Sequence, residues 1–224
     1  MRKIEKIINV YKFDELSDSA KQKALTDRME IEKNDYCNYC LESDMEEKAK
    51  ELLEEYFSSN ATFEDVYYSL SYCQGDGAMI TFQLGIEDFN KNYHVFNDEE
   101  MKFILDYDII EKIEVMHVGR YYHKYAFDVN ICYSNAYWQY SYNDIEYDDI
   151  KDDYNISKSD FDSIDEKLCK ATERDSAFYN NIVAMNGELE NFGYSCINYY
   201  NTEDSVLSLL EEAEFLVDGS VYYE

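Results

Sequence analysis

"SLSYCQGDGAMITFQLG", residues 69–85, holds three of the chain's seven glycines around a single aspartate. A phosphate-binding loop would need a helix opening directly after the glycines, with a Lys and a Ser or Thr at its start. Here the lysine is missing, and Ala78, Ile80, Phe82 and Leu84 set a period of two. A calcium loop would need acids at alternate positions, and Asp76 stands alone. Val66, Tyr68, Leu70 and Tyr72 show the same alternation upstream. The pattern predicts strands over 63–73 and 77–86, joined by a tight hairpin whose positive φ angles come from Gly75-Asp76-Gly77.

Upstream of the hairpin, residues 3–12 predict a first strand. Ser17 is expected to cap a helix with Ala20, Ala24 and Leu25 on one face. A second helix follows, capped by Ser43 or Asp44, with Met45, Ala49, Leu52, Leu53 and Tyr56 as its apolar stripe. Downstream, "NDEEMKFILDYD" predicts a helix capped by Asn97 or Asp98. "KIEVMHV" and "YYHKYAFDVNICYS" predict strands joined around Gly119-Arg120, and "AYWQYSYNDI" a further strand. The longest helical pattern starts near Ser159 and is expected to stop at Gly187 or Gly193. After "CINYY", a helix capped by Asn201 or Thr202 and a hairpin in "FLVDGSVYY" close the chain.

Strands and helices mix without regular βαβ alternation. This points to an α+β fold, an antiparallel sheet of hairpins covered by helices on one side. It is Tyr-rich: 24 Tyr and 12 Phe stand against one Trp, and tyrosines suit half-exposed sheet faces where the hydroxyl stays wet. The length of 224 residues fits one α+β domain, 1–224. A possible subdivision separates a hairpin-rich part, 1–142, from 143–224, which carries an acidic connector, the long helix and the last hairpin.

Forty-nine acids against twenty Lys and Arg leave a formal charge of −29. Such a surface repels nucleic acid and anionic membranes and attracts basic partners. "MRKIEKIINVYKFDEL" has no long apolar run, and no stretch approaches the roughly 18 apolar residues of a membrane span. The expected setting is the cytoplasm of a host cell, with all six cysteines as free thiols.

Catalytic signals are absent from the motifs. Cys37 and Cys40 have CxxC spacing, but no second pair follows and no strand precedes them, so two half-buried thiols are expected. A three-residue loop at Gly119 would set His117 opposite His123, close enough to share a metal; ordinary cross-strand neighbours are the better reading. No nucleophile elbow, zinc helix, Walker loop or dinucleotide fingerprint is present. The chain is therefore not expected to be an enzyme, nor to carry a cofactor or a metal.

One segment differs in charge density. In residues 143–166, Asp144, Glu146, Asp148, Asp149, Asp152, Asp153, Asp160, Asp162, Asp165 and Glu166 are opposed only by Lys151 and Lys158. It reads either as a solvated acidic linker or as a surface that imitates the charge of nucleic acid. A second candidate interface is the Tyr-rich face around Tyr121, Tyr137, Trp138 and Tyr140, where aromatic anchors can carry a binding hot spot.

"VYKFDELSDSAKQKAL", "SYCQGDGAMITF", "GRYYHKYAFDV" and "EEAEFLVDGSVYY" together resemble a loose family of uncharacterised bacteriophage and prophage proteins. In kind, a small, strongly acidic protein of this sort is similar to phage anti-defence inhibitors such as anti-CRISPR proteins and anti-restriction DNA mimics. The resemblance implies a binding protein that inhibits a host defence nucleoprotein complex, a CRISPR effector or restriction nuclease, by occupying its basic nucleic-acid surface. Its partner would be that basic protein or complex, without direct nucleic-acid or membrane binding. The alternatives are a carboxylate-based, metal-dependent phage enzyme and an antitoxin-like regulatory protein.

Overall fold

The computed structural model describes residues 7–58, 60–133 and 158–223. Its helices are α1 (Asp18–Tyr39), α2 (Leu41–Tyr56), α3 (Ile86–Tyr93), α4 (Asp98–Asp106), α5 (Lys158–Thr172), α6 (Ala177–Tyr199) and α7 (Leu207–Glu212). The strands are β1 (Thr62–Ser69), β2 (Gly77–Leu84), β3 (Ile110–His117) and β4 (Phe127–Tyr133). The fold is α+β with an antiparallel sheet, as the patterning predicts. The chain divides into two compact units, residues 1–44 with 193–224, and residues 45–192. Among the described residues no helix is long and apolar enough to cross a membrane.

In the first unit the expected N-cap is present, since Ser17 Oγ accepts from the Ala20 amide at 3.4 Å. Ala20, Ala24 and Leu25 then face Leu16, Val206, Leu210 and Phe215 in one buried cluster. Fully burying a side chain the size of Leu or Phe stabilises a fold by about 1.5–3 kcal/mol, so this cluster holds the two chain ends together. The first strand expected over 3–12 is not formed in its described part. Tyr11 alone bridges to Phe215, each amide donating to the other's carbonyl at 2.9 Å. Beyond Lys12 the chain turns into a short 3-10 helix, Phe13–Glu15, and Ile7 is left 92% exposed. A strand needs a neighbour along its length, and here it has one at a single residue.

The terminal hairpin is present in outline, with Phe215 bridging Val221 and the Ser220 carbonyl accepting from Leu216 at 2.8 Å. Gly219 turns it at φ 84°, where an added Cβ would lie 2.2 Å from the Ala20 carbonyl oxygen. The preceding helix is shorter than expected: Glu203–Ser205 is 3-10, and only Leu207–Glu212 is α-helical. Likewise α2 starts at Leu41, with only Cys40 between it and the end of α1, instead of at a Ser43 or Asp44 cap.

In the second unit the sheet runs β1-β2-β3-β4, antiparallel throughout. Residues on β3 alternate as expected, with Ile113 and Val115 buried and Lys112, Glu114 and Met116 more exposed. Central strand β2 is buried almost along its whole length. Phe178 of α6 anchors the helical layer, its ring 5.6 Å from Phe57, 5.2 Å from Phe89 and 5.5 Å from Tyr93. Phe57 in turn lies 4.8 Å from Phe82 of β2. The Asn97 cap of α4 forms the reciprocal capping box with Glu100. Helix α3 is an addition to the expected elements. Ile86, Phe89 and Tyr93 share its apolar face, with Glu87 and Asp88 in the first turn and Lys91 in the last, but it is only eight residues long.

The long helical pattern expected from Ser159 is two helices. It breaks at residues 173–176, where Asp175 takes φ 74° and Ser176 Oγ accepts from the Tyr179 amide at 3.1 Å, starting α6 anew. Helix α6 then runs through both Gly187 and Gly193. A helical glycine costs about 1 kcal/mol, which burial of Phe178, Ile182, Met185 and Leu189 outweighs.

Buried Asn186 of α6 completes the sheet. Strands β2 and β3 pair only over Phe82–Leu84. Where pairing ends, Asn186 accepts from the Ile80 amide at 3.0 Å and donates to the Lys124 carbonyl at 3.3 Å. Replacing Asn186 with leucine strands both groups, and each buried unsatisfied group costs about 1–3 kcal/mol. Urea unfolding of Asn186→Leu is expected to show a loss of about 2–5 kcal/mol; a loss below about 0.5 kcal/mol refutes this role.

Candidate functional site

The two glycine-bearing motifs meet in space. The connection from Ser69 to Gly77 is longer than a tight turn, and the Asp76 carboxylate organises it. It accepts from the Ser69 hydroxyl at 2.7 Å, the Cys73 amide at 2.7 Å and the Ser71 hydroxyl at 3.2 Å. Burial works against its charge, but these donors prevail and hold the carboxyl below its ordinary range. Gly75 and Gly77 take φ 95° and 149°, as the turn reading requires.

Against this tip lies the loop that follows β3. The Tyr122 amide donates to the Gly75 carbonyl at 3.2 Å. A Cβ on Gly75 would enter the Tyr121 ring at 2.2 Å, and one on Gly77 would lie 2.7 Å from the His123 Cα. Both glycines therefore serve close approach as well as turn geometry. The loop also corrects the expected hairpin at Gly119-Arg120. His117 pairs with Phe127 and not with His123, and Val118 donates to the Ala126 carbonyl to close a wider loop. The histidines have separate uses. His117 stacks 4.7 Å from Tyr67 with its Nε2 3.0 Å from the Tyr121 carbonyl, while His123 Nδ1 accepts from the Tyr125 amide.

The result is a run of rings and cations in an acidic chain. From Met116 to Phe127 the sequence carries no carboxylate. Tyr122 continues the Tyr67–His117 stack, with its ring 6.3 Å from Tyr67. Arg120 lies over the Tyr121 ring at 4.8 Å and Lys124 over Tyr125 at 5.4 Å. Tyr121 and Tyr125 are exposed. Chemically this is an adhesive surface of rigid aromatic and Arg groups, the residue types that dominate interface hot spots. It contains no activated nucleophile, and among the described residues no cluster of His, Cys, Asp and Glu could hold a metal. Sequence reading noted Tyr121 and the histidines but not that a loop would fold them onto the hairpin.

Most of the expected interface is not among the described residues. Asp144, Glu146, Asp148, Asp149, Asp152, Asp153, Tyr137, Trp138 and Tyr140 lie outside the described residues. The end of the acidic run is described: Asp160, Asp162 and Glu166 are exposed on α5, and Asp165 accepts from the Tyr133 hydroxyl. Cys37 and Cys40, expected half-buried, are both exposed, because α1 ends on them at the surface. No family model matches the chain, and no match is found among curated proteins or solved structures.

Two predictions follow from this geometry. Valine at both Gly75 and Gly77 meets positive φ and the facing loop together, so the double variant is expected to lose more than about 2 kcal/mol in urea unfolding; wild-type stability would contradict it. The Asp76 carboxylate titrates lower when folded, so its contribution is present above the ordinary carboxylate range and disappears as pH falls through the folded value. Asp76→Ala is expected to be less stable than wild type at pH 7 by about 1–2 kcal/mol, with the gap narrowing by pH 3. A gap that persists unchanged at acid pH removes the ionised carboxylate from the account.

Proposed function

We propose that this chain is a phage-type binding protein that inhibits a host defence nucleoprotein complex by occupying a basic, nucleic-acid-binding surface. The observation that carries the reading is the charge, −29 on 224 residues. Lys12, Lys23, Arg28, Lys48, Lys50, Lys112 and Lys167 each pair with a carboxylate, which leaves the excess acids to set the sign of the surface. A field of this sign draws a basic partner over a Debye length of about 8 Å at physiological salt and raises its on-rate. The aromatic loop beside the Gly75–Gly77 tip supports a binding role independently, because charge steers association while buried aromatic anchors hold a complex. A carboxylate-based enzyme has no comparable support among the described residues.

The reading is tested on purified CRISPR effectors and restriction nucleases, with inhibition and binding measured across a salt series. Binding is expected to weaken as salt rises and to be displaced by guide RNA or target DNA. Reversing Asp148, Asp149, Asp152 and Asp153 to lysine is expected to weaken it by at least about tenfold. Salt-independent binding, or unchanged affinity in the four-fold variant, rules out charge mimicry by this run. Tyr121→Ala then tests the aromatic loop, where a loss on the order of tenfold or more marks a hot spot.

A further inference from the structure

In the unit formed by residues 1–44 and 193–224, the last turns of α1 and α6 line a cavity of about 330 Å³. Its walls are Tyr36, Asp44, Ser195, Cys196, Tyr199 and Tyr200. The Tyr200 ring stacks on Tyr36 at 4.8 Å, and Tyr199 meets Tyr200 edge-on at 5.2 Å with an interplanar angle of 80°. Two tyrosine rings thus form a right-angled corner, and a third backs one of them. Asp44 sits beside them, its Oδ2 accepting from the Tyr36 hydroxyl at 2.8 Å.

Among the residues that line this corner the only formal charge is negative. Helices α1 and α6 end here with no basic residue in the last turn, while α2 begins at Leu41 and sets Asp44 in its first turn. The helix ends thus partly offset one another, and the Asp44 carboxylate carries the charge of the wall. Burial, the Cys196 thiol and Asp44 all push the Tyr36 phenol up, so it stays neutral and donates. Burial, then Cys40, Tyr199, Glu32 and Asp44, push Tyr200 the same way. Of the nearby cations, Arg28 is paired with Glu32, and Lys33 is held by the Asn201 side chain at 3.3 Å. Neither lines the cavity. An anion is disfavoured here, and a hard metal ion would find only one carboxylate. Perpendicular aromatic faces beside a carboxylate suit an organic cation, whose diffuse charge rests on ring faces.

We infer that this cavity receives a cationic side chain, the ammonium of a lysine or the guanidinium of an arginine, inserted by a basic protein partner. The ring faces of Tyr199 and Tyr200 contact its charged end, and Asp44 supplies the counter-charge. That the occupant belongs to a protein rests on the binding function proposed above; the affinity of the cavity for an organic cation does not.

The test titrates the full chain by NMR, at constant ionic strength, with tetramethylammonium and with Nα-acetyl-lysine methylamide. Nα-acetyl-norleucine methylamide serves as the uncharged counterpart. Both cations are expected to shift the resonances of Tyr199 and Tyr200 with dissociation constants on the order of 1 mM, and the norleucine amide is not. Asp44→Asn, which keeps an acceptor for Tyr36, and Tyr199→Ala, at an exposed ring, are each expected to weaken binding by about tenfold. Glu211→Gln removes the same charge from an exposed site on α7 and is expected to change nothing. Equal binding of the norleucine amide, equal loss in Glu211→Gln, or undiminished binding in both cavity variants overturns the cation site. If the cavity binds both cations but Asp44→Asn leaves affinity for a verified basic partner unchanged, the assigned occupant is wrong while the site stands.

Discussion

The second unit depends on one side chain standing in for missing strand pairing. Antiparallel strands satisfy their backbone groups by lying side by side, and β2 and β3 do so for only three residue pairs before they part. Past that point the Ile80 amide and the Lys124 carbonyl bond to the Asn186 side chain instead of to a facing strand, and β2 is buried there. Asn186 carries one acceptor and one donor on a short, rigid amide, which suits it to span such a gap. Because it comes from α6, the same contact fixes where that helix lies on the sheet. It also fixes the carbonyl of Lys124, and with it the loop that carries Tyr121, Tyr122 and His123. Helix position, sheet closure and loop placement are in this way one constraint.

That constraint shows what could be read in advance and what could not. Two caps are legible, Ser17 and Asn97, which act on amides three residues ahead. The expected Ser43 or Asp44 cap is not, because α2 already starts at Leu41, directly after Cys40. The pairing of β1 with β2 is legible from alternation on both sides of Q-G-D-G. The expected strand to residue 73 nonetheless ends at Ser69, because Asp76 draws Ser69, Ser71 and Cys73 into a longer connection. The strand expected around Tyr11 does not form because strand formation is not local; the one bridge partner of Tyr11, Phe215, lies about 200 residues away in the chain. The break at residues 173–176 turns on Asp175 at φ 74° and a new cap at Ser176, within the polar run Thr172–Ser176 that interrupts the apolar period. Polar residues alone do not tell an exposed helical turn from a break. Asn186 itself sits in a run that reads only as helix.

The surfaces divide along the same line. Net charge needs no structure, and it bears on the class of partner without saying which face the partner meets. The rings of the loop after β3 were legible as residues but not as an array, since the predicted short turn would have set His117 against His123. The Tyr36–Tyr199–Tyr200 corner was not legible at all. Its parts come from segments about 160 residues apart in the chain, joined only when the ends of α1 and α6 meet.

These features give charge two separate tasks. Diffuse acid on the surface acts at a distance, is weakened by salt, and tolerates loss of any one residue. Asp44 acts at contact, beside the ring faces that line the cavity, where one charge meets one group directly. Only the second can tell an organic cation on a side chain from diffuse basic charge, because selection needs shape as well as sign. A protein with the first alone would adhere to any basic surface. The addition of a shaped, aromatic-walled cavity to a strongly acidic body is what would let one basic partner be preferred among many.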